Sequence, residues 1–147
     1  MKNSGGGHIE ISNTDYVEIE MMTLDEFVLR NNLSNIKFIK IDVEGYEPFV
    51  FEGAKKTIES FLPELYFEIT EKWHNQYGKS AQEIFDFLIA LNYEFYHFDS
   101  IINKIVSCHD PYELYKKNVQ LNFYAIQKRQ LQAIGNRDLR AQKNKKL

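Results

Sequence analysis

The chain has 147 residues, 44% of them hydrophobic and 21 aromatic, with a net charge of −3. That length suits one domain with a buried core, and the composition excludes a disordered segment. Charge is unevenly spread: residues 128–147 hold seven Lys/Arg against one acid, while the remaining body carries net −9, which argues against a nucleic-acid-binding surface.

Residues 1–15 are polar and glycine-rich and read as a loop. Tyr16–Met21 alternates with period two and reads as a strand. Thr23-Leu24-Asp25-Glu26 is a capping box, so a short helix is expected to about Asn32, with Leu24, Phe27 and Val28 inward. Ile36–Val43 is β-branched and aromatic-rich and suits a central parallel strand, which Gly45 breaks. Pro48 fits the first turn of the next helix. Val50, Phe51, Ala54, Ile58, Phe61 and Leu62 recur at helical spacing until Pro63, so one helix is expected, with Gly53 inside it at about 1 kcal/mol against alanine.

Glu64–Thr70 is the next strand, and residues 71–79 form a polar loop with Trp73, His74 and Tyr77. Ser80-Ala81-Gln82-Glu83 is a second capping box, followed by a helix with Ile84, Phe85, Phe87, Leu88 and Leu91 on one face. Tyr93–Phe98 is an aromatic strand. Residues 99–118 read as a long connection with a short helix after Asp110-Pro111. Val119–Gln127 is the last strand, and 128–147 is a basic polar tail. Strands alternating with helices indicate an α/β domain with a mostly parallel sheet, and the last two strands indicate an antiparallel hairpin at one edge.

Ligands of open α/β sheets bind beyond the carboxyl ends of the strands, so the strand ends at Met22-Thr23, Asp42–Gly45 and Glu68–Thr70 should share one rim. Asp42 and Glu44 would share a face of an extended strand. Two readings stay open there. Crowding would raise one carboxyl pKa and suit a general base, or the pair simply caps the following helix. Trp73 and His74 are either a substrate wall or an ordinary loop. Cys108 cannot form an internal disulfide and matches no zinc spacing, and its neighbour His109 should point the other way, so it reads as a semi-buried thiol. The sequence has no G-x-G-x-x-G after a strand, no Walker A and no G-x-S-x-G elbow. No 18-residue apolar run is present, and the first seven residues have no apolar h-region, so a cytoplasmic location without a membrane span is expected.

Lys40-Ile41-Asp42-Val43-Glu44-Gly45, Glu47, Gly53-Ala54, Pro63 and the strand ending at Glu68, with Thr23-Leu24-Asp25 upstream, together resemble the FkbM-type methyltransferase family. The resemblance covers about residues 3–127. It implies a class I, Rossmann-like methyltransferase sheet of order 3-2-1-4-5-7-6, of which this chain holds the third to seventh strands. It implies S-adenosylmethionine as cofactor and methyl transfer to oxygen on a sugar, polyketide or lipid-linked acceptor. Thr23, Leu24 and Asp25, with Asp42 and Val43, would bind the cofactor. Asp42, Glu44 and Glu68 would be catalytic, Trp73 and His74 would meet the acceptor, and no metal ligand is assigned. The family's first strand, glycine-rich loop and second strand do not appear, so residues 1–127 are expected to be a partial domain with an impaired cofactor site and an open edge at Ile36–Val43. The competing expectations are a non-catalytic interaction module, half of a split enzyme completed by a partner chain, or a different α/β domain whose Asp42–Gly45 turn is only a cap.

Overall fold

The computed structural model describes residues 20–70, 78–117 and 120–134. In chain order the described elements are α1 (Leu24–Arg30), β1 (Phe38–Ile41), α2 (Glu47–Glu52), α3 (Lys55–Phe61), β2 (Glu64–Thr70), α4 (Ala81–Ala90), β3 (Tyr93–Asp99), β4 (Lys104–Cys108), α5 (Pro111–Lys116) and β5 (Gln120–Gln127). The expected strand Tyr16–Met21 lies outside the described residues except for Glu20 and Met21, which are not in a strand.

The five strands form one open sheet of order β1-β2-β5-β3-β4. The run β1-β2-β5-β3 is the 4-5-7-6 order that the resemblance implies. The sheet is nevertheless mixed rather than mostly parallel. Only β1 and β2 are parallel; β2–β5, β5–β3 and β3–β4 are antiparallel. The cause is β5, which enters between β2 and β3 against their direction. The antiparallel partner of β3 is thus an inner strand, and the edge hairpin is made instead by β4, in a segment expected to be a connection.

Register fixes which side chains enter the core. Leu65, Phe67, Ile69, Phe123 and Ala125 alternate onto one face and are fully buried. Phe85 of α4 meets Phe123 and Phe95 edge-to-face, and Phe67 stacks on Phe123. The opposite face carries Lys40, Tyr66, Tyr124, Tyr96 and Ser107 as cross-strand neighbours, none of them buried. Tyr93 donates its hydroxyl to the Pro63 carbonyl at 2.6 Å, which satisfies the one polar atom of a buried ring.

The N-cap half of each expected capping box forms. Thr23 Oγ1 accepts from Glu26 N, Ser80 Oγ accepts from Gln82 N, and Asp110 caps α5 through Glu113 N. The helix α1 buries none of its residues, and Phe27 is 44% exposed, so its expected inward face is only partly covered. The helix expected across residues 48–62 is in fact two. The break is at Gly53-Ala54, where the α1 N-terminus crosses: a Cβ on Gly53 would lie 3.0 Å from Thr23 Cβ and 3.1 Å from its Cγ2. Gly53 has an ordinary φ of −78°, so space, not backbone freedom, demands glycine there. Gly53→Ala should therefore cost about 1–3 kcal/mol by overpacking, read from the urea midpoint. A change below about 0.5 kcal/mol would show that Thr23 yields without cost.

The basic tail is not wholly separate from the domain. Residues 128–134 are helical and tie back through Lys128 N to the Asn92 carbonyl and Gln130 Nε2 to the Leu62 carbonyl.

Candidate active site

The strand β1 ends at Ile41, one residue before the first expected site residue. The chain then turns through Glu44 and Gly45, both left-handed, with φ of 51° and 94°. Gly45 takes this conformation without a Cβ penalty, whereas Glu44 pays about 1 kcal/mol. What holds the turn is Glu47, the first residue of α2 and only 1% exposed. Its Oε1 accepts from both Val43 N and Gly45 N, at 3.2 Å each. A carboxyl group of the chain itself thus fills the concavity that these two amides form, at the positive end of α2.

This geometry changes the expected carboxylate pair. Because the strand stops at Ile41 and the backbone reverses at Glu44, Asp42 and Glu44 do not occupy alternate positions of one extended strand. The partner of Asp42 is Lys40, whose Nζ lies 2.8 Å from Oδ2. The hydrogen bond and charge of Asp42, with smaller contributions from Tyr66 and Glu68, push the Lys40 ammonium pKa above its ordinary value. Glu68 on β2 follows Phe67, the register partner of Ile41, so Lys40, Asp42 and Glu68 form one charge cluster at the carboxyl end of the parallel pair β1–β2.

An open groove of about 700 Å³ lies between the N-termini of α1 and α2. Its walls are Met21, Met22, Thr23, Leu24 and Phe27 on one side and Tyr46, Phe49 and Val50 on the other. Tyr46 and Phe49 stack with centroids 4.4 Å apart. Thr23 and Leu24 therefore line one groove with Tyr46, three residues beyond Val43. Val43 is 38% exposed beside the turn.

Asp25 has a different job from its neighbours. Its Oδ1 accepts from Thr57 N at 2.8 Å and Thr57 Oγ1 at 2.6 Å, and its Oδ2 accepts from Lys56 N at 3.1 Å. The N-cap position of α3 is Ala54, which has no capping side chain, so Asp25 caps α3 from 31 residues upstream. Its own N–H donates to the Gly53 carbonyl. Asp25 thus fixes the groove wall by clamping α1 to α2 and α3.

Trp73 and His74 lie outside the described residues. Among the described residues no group of three His, Cys, Asp or Glu is placed to hold a metal ion, and no helix is long and apolar enough to cross a membrane. Burial pushes the Cys108 thiol pKa up, which leaves it protonated and weakly nucleophilic at neutral pH.

The residues given no role in the sequence reading were Glu47, Lys40, Tyr46 and Phe49. Glu47 had a signal: an acid in the first turn of a helix, two residues after a strand-ending glycine. Lys40 had one too, standing two residues before Asp42.

The chain is thus an α/β domain with an open mixed sheet and a groove between two helix N-termini. The family model of the Methyltransferase FkbM domain matches residues 2–95, and the chain belongs to that family. The match is shorter than the resemblance, ending early in β3, so β4, α5 and β5 lie beyond it. No curated relative and no solved structure matches the chain.

Proposed function

We propose that this chain serves S-adenosylmethionine-dependent methyl transfer to an oxygen atom of a sugar, polyketide or lipid-linked acceptor. The observation that carries this reading is the family match over residues 2–95, which spans the Thr23–Asp25 element, the Asp42–Gly45 turn and Glu68. The groove fits the cofactor in kind. Its volume falls within the usual range of about 300–1,000 Å³ for small-molecule sites, and its walls offer apolar and aromatic surface for a nucleoside.

Bound S-adenosylmethionine supplies an electrophilic methyl group. Thr23 and Leu24, with Tyr46 and Phe49, hold its adenosine part, and Val43 closes the turn beside it. Asp25 acts at one remove, by fixing α1. Asp42 takes the proton of the acceptor hydroxyl, and Lys40 orients its carboxylate. Glu44 assists from the turn, and Glu68 accepts hydrogen bonds from the acceptor. Trp73 and His74 form the acceptor side. Holding acceptor oxygen and methyl group in line lowers the barrier by removing the entropy cost of their encounter. Phe38 is 52% exposed on β1, which supports a further strand at that edge, from another segment or a partner chain.

Incubating the full-length protein with methyl-tritiated S-adenosylmethionine and cell extracts tests the assignment. Label should enter a carbohydrate- or lipid-containing fraction as a base-stable ether. Label confined to nucleic acid or protein would overturn the acceptor class.

A further inference from the structure

We propose that Lys79 is a positioning residue for the groove: its ammonium group holds the Phe49 ring as a stacking wall for the adenosine part of the cofactor. The proposal rests on the cofactor reading of the groove given above.

Lys79 stands one residue before Ser80, the N-cap of α4. A cation there faces the positive end of the helix dipole, which disfavours it. Two groups on α2 compensate. Lys79 Nζ donates to Glu52 Oε2 at 3.0 Å and lies over the Phe49 ring, 5.2 Å from its centroid. That is within the roughly 6 Å reach of a cation–π contact. Phe49 and Glu52 are three residues apart on one helix, so a single ammonium reaches both from outside it. The lysine side chain is 29% accessible against 58% for Glu52, so it is the better covered of the two. The hydrogen bond and charge of Lys79 hold the Glu52 carboxyl pKa below its ordinary value, which keeps the pair ionised at neutral pH.

The groove walls include Phe49 and not Lys79, so the lysine meets the groove through the ring. The ring needs holding. It is half-buried on the wall of an open groove, and Tyr46 stacks on it with centroids 4.4 Å apart. A ring engaged by both Tyr46 and Lys79 has fewer orientations to lose when a nucleobase packs against it. For one side chain, the ordering cost thus avoided corresponds to about two- to tenfold in affinity. The Lys79–Glu52 pair is too exposed to add much to folding, so the effect falls on the ring and not on the fold.

Titrating the ¹⁵N-labelled full-length protein with S-adenosylhomocysteine, followed by amide shifts, gives a Kd for wild type, Lys79→Met, Phe49→Leu and the double variant. Lys79→Met should raise Kd at least about threefold, and Lys79→Arg, which keeps a cation over the ring, should raise it less than that. In the Phe49→Leu background Lys79→Met should have no further effect, because the lysine acts through the ring. A structural loss, or a direct attraction between the ammonium and the ligand, would carry over into that background. Without ligand, the Lys79 ε-methylene protons should resonate upfield in wild type and at their ordinary position in Phe49→Leu, the ring-current mark of the contact. A smaller rise for Lys79→Met, an equal loss in both backgrounds, or an ordinary ε-methylene position in wild type would overturn the proposal and leave the cofactor reading standing. A wild type that does not bind S-adenosylhomocysteine would remove the cofactor reading itself, and the proposal with it.

Discussion

Replacing Glu47 by alanine should lower stability by about 2–4 kcal/mol, the largest effect expected of any single polar substitution in this fold. The reason is local and countable. Glu47 is 1% exposed, and its Oε1 is the acceptor for Val43 N and Gly45 N. Alanine leaves both amides without that acceptor, the buried Gly45 N and the partly buried Val43 N, at roughly 1–3 kcal/mol for each buried unsatisfied donor. Relaxation of the turn would recover part of that cost, but Glu44 and Gly45 are left-handed and stay so only while the surroundings hold them. Glu47→Gln is the discriminating control, because an amide oxygen of the same reach can still accept from the two N–H groups, and its loss should stay near about 1 kcal/mol. Urea titration with circular dichroism reads both. If the alanine variant unfolds within about 0.5 kcal/mol of wild type, the turn is held by something else.

Asp42→Asn should behave in the opposite way: folding hardly changes and methyl transfer falls at least about 100-fold, the lower range for loss of a general base. Asp42 is an exposed residue on an exposed ion pair with Lys40, with side chains 41% and 56% accessible. Such pairs contribute about 0–1 kcal/mol, so its removal has little stability to lose. The asparagine amide keeps the size and one hydrogen-bond acceptor but cannot take a proton from a hydroxyl. Label transfer from methyl-tritiated S-adenosylmethionine, measured on full-length wild type and variant side by side, separates the two effects. A variant with normal turnover would remove Asp42 from the chemistry and leave it as the partner of Lys40 alone. Taken together, the two substitutions distinguish the residue that builds the turn from the residue that uses it.

The strands β2, β3 and β5 were legible because period-two burial is written into them. Glu64–Thr70 alternates Leu65, Phe67 and Ile69 inward, and its bounds follow from Pro63 before it and the polar run after it. The break at Gly53 was not legible. Apolar spacing continues through it, since Phe51 and Ile58 both face the core, and the residue packed against the break is Thr23, thirty residues away in sequence. The capping by Asp25 was hidden because it too is long-range: its three hydrogen bonds reach Lys56 and Thr57, and no local pattern reports them. The strand β4 was missed because Lys104–Cys108 is short and lies inside a polar connection. Its Ile105-Val106 step and the Asp99…Asn103 turn were the available signals.

At the candidate site, the sequence located the rim but not its wiring. Extending β1 through Val43 put Asp42 and Glu44 on one face. The positive φ at Glu44 dissolves that pairing, and the lysine two residues back takes up Asp42 instead. Thr23 and Leu24 do meet the segment after the Asp42–Gly45 turn, across a groove whose second wall, Tyr46 and Phe49, was not singled out.

We propose that this groove and the turn beside it receive the cofactor. Titrating ¹⁵N-labelled full-length protein with S-adenosylhomocysteine, followed by amide chemical shifts, tests it most directly, because the method detects binding even when it is weak. Shifts should concentrate at Met22, Thr23 and Leu24 and at Asp42 to Tyr46, with the β3–β4 hairpin unmoved. Saturable shifts elsewhere that leave these two segments unchanged would contradict it.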